Sequence, residues 1–251
     1  MSAPTAVILA GGFGTRVKHL LPNVPKPMAP VLGKPFLEWV VRYLSRHGIK
    51  RNILSTGHLA ELVEEHFRKQ PVTAVTTICV RETEPLGTGG GFLHAVRSSG
   101  ETAEIWLVAN GDSLAFGNLT EAINNLRDSS MGGLLIGCAV ADASRYGTMV
   151  SDANGQLLRF EEKRPGRGII NAGIYLLKDS IVQKCVSWTS ERTSAQEPPS
   201  LSFEQDIFPR LLREGMRLKV FVVEGPFLDI GTPETLREAE EFVAQNRAQF
   251  A

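Results

Sequence analysis

One residue after the apolar run Ala6 to Leu9 the chain reads Gly11-Gly12-Phe13-Gly14-Thr15-Arg16. Glycines at such a turn let backbone N–H groups approach a phosphate with no Cβ in the way, so the segment predicts nucleotide binding. It is not a dinucleotide fingerprint. Val17 stands where Gly or Ala is required, and no acidic residue ends the next predicted strand near Ser55. A P-loop is excluded because Gly-x-x-x-x-Gly-Lys-Ser/Thr occurs nowhere in the chain. Lys26 lies between Pro25 and Pro27, whose rings fix the backbone that carries its ammonium. Asp112 follows the apolar run Ile105 to Val108, and the carboxyl ends of strands are where open α/β sheets place their ligands. Other chemistries lack support. His19, His47, His58, His66 and His94 show no zinc spacing, and Ser113 lacks the Gly-x-Ser-x-Gly setting of a nucleophile elbow.

These groups need a scaffold, and the hydrophobic pattern supplies one. β-branched or apolar runs at Ala6 to Leu9, Asn52 to Ser55, Ala74 to Val80, Ile105 to Val108, Leu134 to Val140, Ile169 to Leu177 and Leu218 to Val223 predict strands. Between them Pro35 to His47, Ala60 to Lys69 and Leu119 to Leu126 have helical spacing. A closing helix over Pro233 to Asn246 takes Thr232 as its N-cap and Pro233 in its first turn. Alternation of this kind predicts an α/β fold, a mostly parallel sheet with helices on both faces. The polar stretch Trp188 to Ser202, with Pro198 and Pro199, predicts a surface loop.

The chain has 251 residues, enough for a single domain, and no period of 20 to 50 residues repeats. Lys plus Arg (27) cancels Asp plus Glu (27), so no global field draws the protein to nucleic acid or an anionic membrane, and phosphate binding must be local. Cys79, Cys138 and Cys185 are odd in number and widely spaced, which predicts buried free thiols. The apolar stretch Met131 to Ala141 is short of the ~20 residues that span a bilayer. Met1 to Thr5 carries no secretory pattern, and a cytoplasmic location is the expectation.

Eight stretches occur in an order that resembles one family. They are Leu9 to Arg16, Pro25 to Met28, Glu84 to Gly90, Asn110 to Ser113, Arg145 to Gly147, Phe160 to Lys163, Asn171 to Gly173 and Asp229 to Pro233. Together they cover nearly the whole chain, which resembles the sugar-1-phosphate nucleotidyltransferases, or NDP-sugar pyrophosphorylases. The resemblance implies a Rossmann-like three-layer αβα sandwich with a mostly parallel mixed sheet. It implies a nucleoside triphosphate and a sugar 1-phosphate as the partners, Mg²⁺ as cofactor, and pyrophosphate as the leaving group. No nucleic acid or membrane partner is implied. By the same resemblance Arg16 grips the departing phosphates and Lys26 neutralises the α-phosphate, while Lys163 meets the sugar phosphate. Leu9, Ala10, Gly11, Gly12, Gly14, Thr15, Glu82, Gly87, Thr88 and Asn110 would form the nucleotide site. Tyr146, Gly147, Glu162 and Asn171 would join Lys163 at the sugar phosphate, and Asp112 with Asp229 would hold the metal.

Base choice turns on Glu82, where family members that take uracil or thymine often carry glutamine. A carboxylate is acceptor-only and matches the adjacent N1–H and N2–H₂ of guanine, so GTP is the expected donor. The stretches Val24 to Glu38 and Ser202 to Asp206 resemble guanylyltransferases acting on D-glycero-D-manno-heptose 1-phosphate. Mannose 1-phosphate and N-acetylmuramate 1-phosphate stay open as acceptors. So do a non-catalytic nucleotide-sugar sensor and a CTP-dependent transferase acting on an alcohol phosphate. The first is disfavoured by the full set of charged residues, the second by the Asp229 to Pro233 match. A homodimer is one assembly open to the chain.

Overall fold

The computed structural model describes residues 3–161, 163, 165–190 and 200–250; Glu162, and residues 191–199 of the polar stretch, lie outside it. In chain order the elements begin with β1 (Thr5–Ala10), the hairpin β2 (Pro30–Val31) and β3 (Lys34–Pro35), α1 (Phe36–Arg46), β4 (Arg51–Thr56), α2 (Ala60–Lys69), β5 (Thr76–Arg81) and α3 (Gly87–Ser99). Then come β6 (Ile105–Asn110), β7 (Ser113–Ala115), α4 (Leu119–Arg127), β8 (Gly133–Val140), β9 (Thr148–Ser151), β10 (Leu157–Glu161) and β11 (Gly168–Lys178). The chain closes with α5 (Asp179–Ser190), α6 (Phe208–Arg213), β12 (Leu218–Val223), β13 (Phe227–Asp229) and α7 (Pro233–Gln245).

Among the described residues β10-β9-β11-β6-β1-β4-β5 form the path of a nine-stranded sheet, to which β8 joins at β11 and β12 at β8. Pairing is parallel from β6 through β1 and β4 to β5, the half that right-handed β-α-β crossovers build, and turns antiparallel where β11 meets β6. Strand residues alternate between two buried layers. Ala6 and Ile8 face α1, α2, α4 and α7, whereas Val7 and Ile53 face α3, α5 and α6. The result is the expected three-layer α/β sandwich, with a mixed sheet.

Local signals account for several boundaries. Thr232 accepts from the Thr235 N–H at 3.4 Å while the Thr235 hydroxyl receives the Thr232 N–H at 3.3 Å, a reciprocal cap that starts α7 where the sequence placed it. Three helices, α3, α5 and α6, escaped the sequence reading. α3 begins Gly-Thr-Gly-Gly-Gly, and each glycine costs about 1 kcal/mol relative to Ala in a helix. Its first turn is held from outside, by the Leu201 carbonyl accepting the Gly89 and Gly90 N–H groups at 2.8 and 3.1 Å. α5 carries Trp188 to Ser190, so the proposed loop does not begin at Trp188. Burial of Ile181, Val182 and Cys185 on one face extends the helix into that polar stretch. Cys138 and Cys185 are buried free thiols, and Cys79 is half-buried.

The first helical layer is pinned by an ionic cluster. Glu38 on α1, with a side chain only 2% exposed, accepts from Lys34 at 2.9 Å and Arg42 at 2.8 Å and lies 2.9 Å from Nε2 of His66 on α2. Burial pushes its carboxyl up, but the hydrogen bonds from Lys34, Arg42 and His66 outweigh that and hold it below the usual carboxylate value. Its contribution to stability is therefore present above the unfolded pKa, near 4.5, and is lost as pH falls through the lower folded value. Glu38→Ala leaves three cationic or donor groups around an empty site and is expected to cost about 3 kcal/mol at pH 7. Urea denaturation at pH 7 and pH 4 checks this: the cost should shrink at the lower pH, and an equal cost at both would assign it to packing alone.

Candidate active site

The glycine turn leaves the C-terminal end of β1, and its neighbours are the ends of β6 and β13, the segment before α3, and the short 3₁₀ turn Lys26–Met28. Together they enclose a cleft of about 410 Å³, within the range of small-ligand sites. Of the residues predicted for the nucleotide, Leu9, Gly11, Gly12, Gly14, Thr15, Glu82, Gly87, Thr88 and Asn110 line it. Arg16, Lys26 and Asp112 line it too. Ala10 does not; it is buried behind the turn at the end of β1.

Two glycines are dictated by this geometry. Gly14 has φ of +56°, and a Cβ there would lie 2.8 Å from Cβ of Lys26, so the turn and the lysine stem pack with no room for a side chain. Gly87 has φ of +73°, and its Cβ would lie 2.5 Å from the Leu201 carbonyl oxygen.

Asp112 and Asp229, far apart in sequence, are brought together by a two-stranded ladder. β13 runs antiparallel to β7 with Asp229 opposite Ser113, and the Ile230 N–H donates to the Asp112 carbonyl at 3.0 Å. The Lys26 ammonium sits between the carboxylates, ion-paired with Asp112 and 3.8 Å from Oδ1 of Asp229. Pro25 and Pro27 and the bonds closing the 3₁₀ turn fix the point from which it reaches. The Asp229 carboxyl is pushed up by burial and by the charge of Asp112, against the pull of Lys26, the Gly231 N–H and Arg16. Its Oδ1 is buried and accepts no hydrogen bond. Arg16 reaches the same place, since a Cβ on Gly231 would lie 3.0 Å from its Nη2. The arrangement is a pair of carboxylates and two cations at the floor of a glycine-lined cleft, suited to polyphosphate.

Glu82, also in the lining of the cleft, is held on both oxygens. Oε1 accepts from the Ser55 hydroxyl at 2.7 Å, and Oε2 lies 3.3 Å from the Leu86 N–H. A carboxylate has about four acceptor positions, so lone pairs remain for a base.

The residues expected at the sugar phosphate lie on or beside β9, β10 and β11, with Glu162 outside the described residues. Tyr146 packs edge-on against Phe227, beside Asp229. Lys163 is exposed just past β10. Asn171 is committed elsewhere: its amide donates to Tyr175 at 2.8 Å and Glu204 at 3.0 Å, and its oxygen accepts the Gly173 N–H at 3.0 Å. Its backbone N–H donates to the Gly147 carbonyl at 3.2 Å, so Gly147 lies alongside. Glu204 lies in the Ser202 to Asp206 stretch whose resemblance was noted, but the sequence did not single it out as a site residue.

Fold and cleft together define a nucleotide-dependent transferase of phosphorylated compounds, and comparison agrees. The Nucleotidyl transferase family model matches residues 5–246, and the chain belongs to that family. It is 33% identical over 241 residues to the D-glycero-alpha-D-manno-heptose 1-phosphate guanylyltransferase of Aneurinibacillus thermoaerophilus, covering 94% of this chain and 96% of the relative. The enzyme of the same name from Campylobacter jejuni is 34% identical, over 91% of this chain and 95% of its own. A crystal structure of HddC from Yersinia pseudotuberculosis complexed with GMP-PN superposes with a TM-score of 0.77 at 32% identity, covering 96% of this chain and 99% of that one. Among the described residues no helix is long and apolar enough to cross a membrane.

Proposed function

We propose that this protein transfers a guanylyl group from GTP to D-glycero-α-D-manno-heptose 1-phosphate in the cytoplasm, as a step in building a nucleotide-activated sugar. The observation that supports the reading is one cleft lined by the glycine turn, Lys26, Asp112 and Glu82, with Lys26 reaching both Asp112 and Asp229. The heptose acceptor is supported by the two relatives named for it.

A sugar phosphate oxygen forms a bond to the α-phosphorus, the bond from that phosphorus to the β-phosphate oxygen breaks, and pyrophosphate leaves. Both reactants are polyanions, so positioning and charge neutralisation carry the catalysis. Gly11, Gly12, Gly14 and Thr15 present backbone to the phosphates, and Arg16 holds the departing pair. Lys26 offers its ammonium to the α-phosphate as negative charge builds there. Tyr146, Gly147, Glu162 and Lys163 receive the sugar phosphate.

Asp112 and Asp229 would hold Mg²⁺. The orphaned, buried Oδ1 of Asp229 facing a cation is the observation that fits a metal, and two carboxylates completed by phosphates and water suit an ion that keeps several of its own waters. Among the described residues no cluster of three or more acidic, His or Cys groups forms a ready-made metal cage, which agrees with a site finished by substrate. When bound, the ion supplies neutralising charge and orientation to the phosphates.

The test is pyrophosphate release with Mg²⁺, crossing five nucleoside triphosphates against manno-heptose, mannose, glucose and N-acetylmuramate 1-phosphates. GTP with heptose phosphate should give the highest kcat/KM. Glu82→Gln should shift the GTP-over-UTP preference by roughly 10–100-fold, because an amide NH₂ then faces the donor edge of guanine. A higher rate for another pair would replace the substrate assignment, and an unchanged base preference would remove Glu82 from base reading.

A further inference from the structure

We infer that Ser55 and Gly91 are the positioning residues behind base choice: the Ser55 hydroxyl holds the Glu82 carboxylate so that each of its oxygens keeps one acceptor position for the base, and Gly91 leaves the space this pose needs. The inference rests on the guanylyltransferase reading and deepens it.

Neither residue lines the cleft. Ser55 is fully buried near the end of β4, two residues after Ile53 and therefore on the sheet face that packs against α3. Its hydroxyl donates to Oε1 of Glu82 at 2.7 Å, with the Gly91 carbonyl 3.2 Å away as a second acceptor. The carbonyl of Thr56, the next residue of β4, accepts the Glu82 N–H at 2.7 Å. The end of one strand thus fixes both the backbone and the carboxylate of Glu82, while Leu86, which caps α3, donates its N–H to Oε2 at 3.3 Å.

Glycine supplies the room. A Cβ on Gly91 would lie 2.6 Å from Oε1 of Glu82 and 3.3 Å from Oγ of Ser55, and one on Gly11 would lie 2.9 Å from the same Oε1. The atom in the way is the far end of a side chain, so a larger residue at position 91 displaces the carboxylate and leaves the backbone in place. Gly91 lies inside α3, where Ala is the better helix former, and it is not among the glycines of positive φ. Backbone conformation does not require a glycine there; the carboxylate does.

Counting acceptors links this cradle to the base. A carboxylate has about four acceptor positions, of which Ser55 takes one on Oε1 and Leu86 one on Oε2. One is left on each oxygen, side by side, and guanine offers two adjacent donors, N1–H and N2–H₂. Hypoxanthine keeps only the first. The last torsion of a glutamate is soft, so without the Ser55 hydroxyl the two open positions lose their common alignment.

The experiment measures kcat/KM for GTP and ITP in wild type, Ser55→Ala, Gly91→Ala, Glu82→Gln and the Ser55→Ala, Glu82→Gln double variant, with whichever sugar 1-phosphate wild type turns over. The GTP-over-ITP preference of wild type is expected to fall about tenfold in Ser55→Ala and in Gly91→Ala, while KM for the sugar phosphate changes less than twofold. Because Ser55 acts through Glu82, adding Ser55→Ala to Glu82→Gln should change the preference less than twofold further. The melting temperature of Gly91→Ala should not fall, since alanine favours the helix. No GTP-over-ITP preference in wild type, a preference unchanged in the two single variants, equal rises in KM for both substrates, or a full additional loss in the double variant would overturn the inference and leave the guanylyltransferase reading standing. If Ser55→Ala does not fold, Gly91→Ala decides on the same readouts. Wild-type protein that turns over another nucleoside triphosphate and not GTP would instead overturn the guanylyltransferase reading, and this inference with it.

Discussion

Asp112→Asn is expected to lower kcat by about 10³-fold while leaving the folded protein intact, a loss on the scale of removing one preorganised charge-stabilising group. Asp112 sits at the end of the glycine cleft, paired with the Lys26 ammonium and facing the second carboxylate. An amide preserves the shape and one acceptor oxygen, so the Ser113 hydroxyl, 3.2 Å from Oδ1, keeps a partner. What disappears is one negative charge next to Asp229, whose carboxyl is raised by burial and by Asp112. Removing that repulsion offsets the loss of the Lys26 ion pair, so thermal unfolding should not move downward by more than a few degrees. Steady-state pyrophosphate release with a melting curve on the same sample separates the two effects. Near wild-type turnover would remove Asp112 from the metal site, and a large drop in melting temperature would assign it to structure.

Lys26→Met should cost at least as much turnover, roughly 10³-fold, and have an opposite effect on metal binding without nucleotide. Methionine keeps the stem that packs on Gly14 and removes only the ammonium. In the absence of nucleotide that ammonium is the counter-charge shared by Asp112 and Asp229, so a divalent ion must displace it to bind. With the ammonium gone, Mn²⁺ titrated into the free protein should bind several-fold more tightly than in wild type, read by the loss of the free-ion EPR signal. Weaker Mn²⁺ binding in Lys26→Met would show that Lys26 supports the carboxylates rather than competing with the metal. Turnover near the wild-type rate would place another cation at the α-phosphate.

Legibility in the sequence followed the range of the interactions. The strands Leu218–Val223 and Arg51–Thr56, and the helices Ala60–Lys69 and Pro233–Gln245, declare themselves through periodicity and caps, because each is decided within a few residues of itself. The glycine turn and Lys26 between its prolines stood out for the same reason, since a glycine-rich turn and rigid presentation leave short marks, whereas Glu82 was reached only through the family resemblance. Asp229 could be joined to Asp112 only through family resemblance, since nothing local pairs residues on β7 and β13.

Tertiary structure alone decided the rest. The glycine-rich start of α3 has poor helical propensity and is a helix because Leu201, more than a hundred residues later, supplies the carbonyl that caps it. Asn171 reads as a ligand in its motif, yet its amide is consumed by Tyr175 and by Glu204, more than thirty residues further on. Composition and spacing determined that this chain would build an α/β sheet with a glycine-rich turn at the carboxyl end of its first strand. Which carboxylates share a cation, and which side chains remain free to meet a substrate, depends on contacts between distant segments, and these exist only once the sheet has set its register.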